Sequence, residues 1–434
     1  MTVFEARDRV GGRVHTVGLG RGHHAEGGAD LIEAEQTHVR DLAAALKLKT
    51  VRILRRGFGY YGPDRRGRYR VRHGPAAFHE AYRLLKAEVS DHCLAGRRWD
   101  SAVALSLAPQ SVADWLSRTR ADRPLRAGMR AFRGFFLADP DDLSLLSLVD
   151  QFAAEGSPGQ GSMFRILGGN ERLPRALAAA LRARVRLRTV VRRVTRTDAG
   201  VRMTVQGSSL ADVDADFAVM ALPASTLRHV EFYPRLPDEQ SRAIGTLKYG
   251  CATRVLLQFA RPFWRTRDRP MAYGSDLPTG AVWDGAEEQS RAAILSLLAG
   301  GRASRELQDI LAREGNRGVI ARLEWLGRPT ALTAARTIVW EDDEWARGGY
   351  AYFDPAFDPR LRAWLGRPSG RILFAGEHTS FAWPGYMNGA IESGRRAAAE
   401  IRALVRSHAA ETAPARTPVK SESYADWSPE VWGS

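Results

Sequence analysis

The segment that most constrains the fold lies near the C-terminus, where a short apolar run ends on glycine and a long helical pattern follows. Ile372, Leu373 and Phe374 read as a strand buried on both faces, as in a parallel sheet. Gly376-Glu377 stops the run, and Gly385 and Gly389 then let backbone lie close against something flat. From Ala390 onward Ile391, Ala397, Ala398, Ile401, Leu404 and Val405 recur at helical spacing. A helix that starts outside the end of such a strand offers free N–H groups and positive dipole potential. That suits a ligand that becomes negative during its chemistry.

Four further motifs occur in order along the chain. Val3-Phe-Glu-Ala-Arg-Asp-Arg-Val-Gly-Gly-Arg13 opens it, and Glu26-Gly-Gly-Ala-Asp30 follows. Leu167-Gly-Gly-Asn-Glu-Arg-Leu-Pro174 lies mid-chain, and Ala215-Asp-Phe-Ala-Val-Met-Ala-Leu-Pro223 comes after it. With the C-terminal segment Arg371–Gly394, the set resembles the flavin amine oxidases, that is, the monoamine, polyamine and L-amino-acid oxidases. The resemblance runs roughly from Thr2 to Arg406. It implies an α/β fold with a Rossmann-like FAD-binding domain and a discontinuous α+β substrate domain containing a mixed sheet. The expected boundaries are 1–75, 156–232 and 336–406 for the FAD domain, 76–155 and 233–335 for the substrate domain, and a disordered tail at 407–434. In such families a first strand and a G-x-G-x-x-G turn stand about 20 residues ahead of the acidic residue that binds ribose. Here Glu5 takes that place with four residues before it, so the first strand and its helix are missing. Gly18-Leu-Gly-Arg-Gly22 follows the acidic residue and reads as a turn. The expectation is a reading frame that truly starts upstream of Met1; the alternative is a natural fragment with weakened FAD binding.

Composition narrows the class. At 434 residues two domains are the default, and 44% apolar with 26% charged residues is ordinary for a soluble globular protein. The net charge of +15 raises a nucleic-acid reading. However, only five of 64 basic residues are lysine and the basic positions are scattered, so no nucleic-acid partner is expected. No apolar run reaches bilayer length and no signal peptide opens the sequence, which points to the cytoplasm. An export signal encoded upstream of Met1 is the alternative. Cys93 and Cys251 make no disulfide framework and are expected to be buried. The ten histidines show no metal-ligand spacing, and no G-x-S-x-G elbow suggests a hydrolase.

The resemblance assigns site residues. Glu5 would accept both ribose hydroxyls, Gly11 and Gly12 would approach a pyrophosphate, and Arg7 and Arg13 would lie beside it. Gly28, Ala29 and Val191 also fall at cofactor positions. Gly376 and Glu377 would lie at the flavin's ribityl or phosphate region, and Gly385 and Met387 at its ring, where Met387 offers a backbone N–H. Gly348-Gly349-Tyr350 and Pro384-Gly385-Tyr386 resemble the segments that set two facing aromatic rings before the flavin; Tyr350 has Tyr352 as an alternative register. Gly349 stands where monoamine oxidases attach flavin through cysteine, so FAD is expected to be non-covalent. Arg254 stands where most of the family has a lysine that holds a water; the alternative is an arginine facing solvent.

The reading is an FAD-dependent oxidase of a small amine. It would form an imine and reduce O2 to H2O2, with a homodimer possible. Leu31 occupies the place where amino-acid oxidases carry an arginine for the substrate carboxylate, which favours amines over amino acids. The alternatives are an L-amino-acid oxidase, a desaturase or dehydrogenase of the same superfamily, and a catalytically silent homologue.

Overall fold

The computed structural model describes residues 1–74, 76–155, 161–181 and 184–412. The expected loop at 156–161 falls outside them except for Gly161, as does the tail beyond Thr412.

The apolar run Ile372–Phe374 is a fully buried strand paired in parallel with Ala218–Met220. Thr2–Phe4 pairs in parallel with Arg184–Arg186. These two short pairs carry the N-terminal and C-terminal motifs to one end of the molecule. The C-terminal helix begins earlier than its periodicity suggests, at Met387 rather than Ala390, and runs to Thr412, so the start of the expected tail is helical. An added Cβ at Gly389 would sit 2.1 Å from the Trp383 carbonyl, so the first turn packs against the preceding loop; Met387 joins the core of Ile32, Val39 and Ile166, but one apolar residue ahead of Asn388-Gly389 does not show a helical period.

A seven-stranded mixed sheet forms the second layer. Its order is Leu332–Val339, Ala252–Phe259, Ile294–Gly300, Ala281–Asp284, Ala272–Ser275, Phe58–Pro63 and Tyr69–His73. All neighbours are antiparallel except Ala272–Ser275 against Phe58–Pro63. The hairpin of 57–73 therefore joins the sheet built mainly from 233–335. Ala252–Phe259 is buried at all eight positions, because apolar residues cover both faces of the sheet there. Val255, Leu257, Leu295 and Leu297 form one core with Leu307 and Ile310 of the Arg302–Ala321 helix, which breaks at Gly315 (φ 63°).

Residues 76–155 carry seven helices, from Ala76–Leu84 to Leu145–Glu155, joined by short turns. Their core, including Phe78, Leu85, Leu146 and Phe152, is continuous with Met220, Ile372 and Phe374. The helices are thus anchored on the strands that carry the terminal motifs. The cysteines depart from expectation: Cys93 is exposed and Cys251 half-buried, since Cys93 falls on the outer face of the Lys86–Leu94 helix, whose buried positions are Val89 and His92. No helix among the described residues is long and apolar enough to cross a membrane.

Candidate active site

All fifteen residues singled out in the sequence line one cavity of about 780 Å³. At one end the Thr2–Phe4 strand delivers Glu5, whose N–H donates to the Arg186 carbonyl at 2.9 Å. Glu5 Oε1 accepts from the Arg7 N–H at 2.8 Å, and the Arg7 side chain pairs with Asp343. Gly11 and Gly12 follow at φ 103° and 55°, in the region that favours glycine. A Cβ added at Gly12 would meet nothing within 4 Å, whereas one at Gly11 would sit 2.7 Å from the Val14 carbonyl, so the turn is open on its Gly12 side alone.

Arg13 and Glu377 knit the site together. Arg13 Nη1 donates to Glu377 Oε1 at 2.9 Å and to the Gly349 carbonyl at 2.7 Å. Glu377 Oε2 accepts from the Gly385 N–H at 2.8 Å. One buried carboxylate therefore joins the first motif to both segments that carry the tyrosines. Burial pushes its pKa up, but Arg13, His378 and the Gly385 N–H together hold it below its ordinary value. Burial lowers His378 to about 4, so that imidazole is neutral at pH 7. Met387 and Ala390, in the first turn of the C-terminal helix, also line the cavity, so the positive end of the dipole faces it.

At the other end stand the aromatic residues. The Tyr386 ring is flanked edge-on by Trp383 at 5.7 Å and by Phe135 at 6.2 Å. The Tyr350 hydroxyl donates to the Phe135 carbonyl, and burial raises its pKa against the pull of Arg254, so it stays protonated. Tyr352 lines the cavity too. Arg254 does not face solvent. Its Nη2 donates to the Gly28 carbonyl at 2.7 Å and its Nη1 to Ser296 Oγ at 3.0 Å, and the guanidinium lies 4.6 Å over the Trp283 ring. Gly349 has no room for a side chain: a Cβ would sit 2.4 Å from Leu137 Cδ1 and 2.8 Å from Ala252 Cβ.

The sequence model described as flavin containing amine oxidoreductase matches residues 1–402. The chain belongs to this family. A Mycobacterium tuberculosis protein named as a flavin-containing monoamine oxidase, AofH, is 29% identical, with 93% of this chain and 91% of that protein covered. The flavin-dependent L-tryptophan oxidase RebO of Lentzea aerocolonigenes is 27% identical over 93% of this chain and 92% of its own. A solved structure of a putrescine oxidase triple mutant superposes with a TM-score of 0.82 at 25% identity, covering 93% of each chain. The flavin amine oxidases are oxidoreductases that act on amines with FAD, and the residues present fit that cofactor. The open position at Gly12, the N-terminal end of the C-terminal helix and the Arg13–Glu377 junction offer glycine backbone, dipole and cation within one cavity.

The sequence concealed other wall residues. Phe135, Trp283, Trp340 and Asp30 line the cavity, and none lies in a pattern that separates it from core. Asp30 is the partial exception, since it closes the Glu26–Asp30 motif. It receives Arg165 Nε at 2.8 Å and Trp283 Nε1 at 2.8 Å. Glu26, at the head of that motif, is fully buried and accepts from Thr16 Oγ1 and the Asn170 N–H.

Proposed function

We propose that this flavin amine oxidase removes two hydrogens from the C–N bond of a small primary or secondary amine and passes the electrons to O2. For a primary amine the balance is R–CH2–NH2 + O2 → R–CH=NH + H2O2, and water then releases the aldehyde and ammonia. When bound, the flavin supplies the hydride acceptor. The observation that carries this reading is that Tyr350 and Tyr386 share one cavity with the Arg13–Glu377–Gly385 junction, so that an aromatic slot opens where the cofactor residues converge. Ring faces attract an arriving ammonium, and an apolar slot then favours the neutral amine and excludes water. The crowding at Gly349 supports non-covalent FAD.

Amines are the preferred substrates because the arginines on the cavity wall are engaged. Arg7 pairs with Asp343, Arg13 with Glu377 and Arg97 with Asp150; Arg192 bonds Gln206, Arg347 bonds His229, and Arg254 holds the Gly28 carbonyl. Three of the six, Arg7, Arg13 and Arg97, already have a carboxylate partner that offsets their charge, which argues against a substrate carboxylate at those positions. The helical segment adds an apolar wall of Phe78, Trp99, Phe132, Phe136 and Leu143, which suits an aryl or alkyl tail. The 27% identity to RebO favours a second reading, oxidation of an amino acid. The two unpaired cysteines support a reducing compartment, and we read the location as cytoplasmic. The test is anaerobic bleaching of the holoenzyme's visible flavin band by phenylethylamine and by L-tryptophan, followed by peroxide release on admitting O2. Faster bleaching by phenylethylamine, with peroxide, is expected. Faster bleaching by tryptophan would replace the amine reading with the amino-acid one, and bleaching without peroxide would make the enzyme a dehydrogenase.

A further inference from the structure

The six arginines on the cavity wall differ in how their charge is met. Arg7, Arg13 and Arg97 each face a carboxylate, and Arg254 is buried. Arg192 and Arg347 are exposed to solvent, and among the described residues neither has a carboxylate within ion-pair distance. A side chain that lines a cavity and also meets solvent marks a mouth. This mouth therefore presents positive charge that no partner cancels.

The two guanidiniums stand on one stretch of wall. Arg193 pairs with Glu231 in the parallel ladder of Val190–Arg196 and Glu231–Tyr233, which sets Arg192 beside Val230. The residue before Val230 is His229, whose Nε2 accepts from Arg347 Nη1 at 2.8 Å. Burial, Arg347 and Arg228 lower the His229 pKa, so the ring accepts in its neutral form and leaves the charge on the guanidinium. Arg192 Nε donates to Gln206 Oε1 at 2.8 Å, again a neutral partner. Arg347 takes φ 50°, an uncommon setting for a residue with a side chain, and its N–H donates to the Asp343 carbonyl at 2.8 Å. Glu344 adds one carboxylate to the same stretch, so the cations outweigh it.

The mouth opens beside the motif that carries Glu5 and Arg7. The Thr189 N–H donates to the Glu5 carbonyl at 2.9 Å and the Arg188 N–H to the Arg7 carbonyl at 2.8 Å, so the strand bearing Arg192 leaves directly from that motif. Asp343, whose carbonyl holds Arg347, is also the partner of the Arg7 side chain.

We infer that Arg192 and Arg347 steer FAD into the cavity: they attract its dianionic diphosphate and set the rate at which the cofactor loads, while Glu5, Arg13 and Glu377 hold it. The inference goes beyond the amine reading, since it concerns cofactor loading and needs no substrate. An arriving ammonium is repelled at the same mouth, so the charge there serves the cofactor and not the amine. Rim charges of this kind act on association, are screened by salt, and raise on-rates by about 10- to 1000-fold.

Stopped-flow change of FAD fluorescence on mixing with apoenzyme reads the association rate directly. The wild type would be compared with Arg192→Gln/Arg347→Gln and with Arg402→Gln/Arg406→Gln. The second pair removes the same charge at exposed positions about 22 Å or more along the C-terminal helix from Met387. All four side chains are exposed, and melting curves would check that both variants fold. At ~0.02 M ionic strength, association should slow at least ~10-fold in the first variant and stay within ~2-fold of wild type in the second. At ~0.5 M salt the difference should narrow to less than ~3-fold. The dissociation rate and the visible flavin spectrum should not change. A wild-type association rate in the first variant, or equal slowing in both, would overturn the inference. Faster dissociation with unchanged association would overturn it as well, because the two arginines would then hold the cofactor rather than steer it.

Discussion

Arg254 brings a permanent cation to the cavity wall, at a position where the resemblance implies a lysine, whose ammonium can lose its proton. Burial lowers the guanidinium's pKa, yet an arginine side chain stays charged at neutral pH. Its planar fork is also committed, with one arm on the Gly28 carbonyl, the other on Ser296 and its face on Trp283. Arg254→Lys would surrender one of those bonds and free a compact donor able to hold a water. We expect the variant to keep its flavin spectrum and to reoxidise faster in O2, as read by stopped-flow absorbance; a slower reoxidation would give Arg254 a role of its own. Glu26 offers a second residue-scale prediction. Burial, reinforced by Asp30, raises its pKa from 4.5 to about 8, so between those values the folded chain keeps a proton that the unfolded chain has released. Stability therefore falls as pH rises across that window. His378 acts in the opposite sense. Burial takes it from 6.5 to about 4, so stability falls as pH drops below 6.5. The two slopes oppose each other from 4.5 to 6.5, which leaves Glu26 to govern the range from 6.5 to 8. Melting temperature should decline over that range in the wild type, and Glu26→Gln should flatten the decline; an equal slope in the variant would remove Glu26 from the account.

Among the elements, the short Arg133–Phe136 helix and its left-handed neighbour Leu137 position the aromatic site with little material. Leu137 touches the places where three glycines forgo a side chain, and Phe135 meets both tyrosines. Leu137→Ala would leave a cavity among rigid backbone segments that cannot close in, at a cost of about 2–5 kcal/mol. Chemical denaturation would measure it, and a cost below ~1 kcal/mol would mean that the notch collapses onto the smaller side chain. The same region shows where sequence reading stops. Ile372–Phe374 was legible because burial on both faces demands an unbroken apolar run. Tyr350 and Tyr386 were singled out by the resemblance of their segments to those of the family, and both line the cavity. Phe135 was not, since it sits in Phe132-Arg-Gly-Phe-Phe136, where core and wall phenylalanines look alike and only the turn of a four-residue helix distinguishes them. The pairing of Arg165 with Asp30 was equally hidden, as it joins residues 135 apart with no periodic relation between them. Cys93 shows the converse error: a residue type that is usually buried can sit on the outer face of its helix.

For the whole molecule, the cavity is closed by contacts between distant parts of the chain. Arg13 reaches Glu377 across 364 positions, and Arg7 reaches Asp343 across 336. Closing contacts over such separations costs loop entropy that the contacts must repay. A ligand that binds only the closed form adds to stability by mass action, by roughly 2.7 kcal/mol at about 100 times its Kd. Stripping FAD should therefore lower the melting temperature by several degrees, and adding FAD back should restore it in a concentration-dependent way; a melting curve indifferent to FAD would mean that the cavity closes without it.

The space denied to a side chain at Gly349 bears on any attempt to tether the cofactor. A thiol introduced there would collide with Leu137 and Ala252 before it could reach a flavin carbon. Leu137, keyed into three glycines, thus occupies the volume that a side chain at Gly349 would need. A permanently linked flavin would require the wall to be redesigned first.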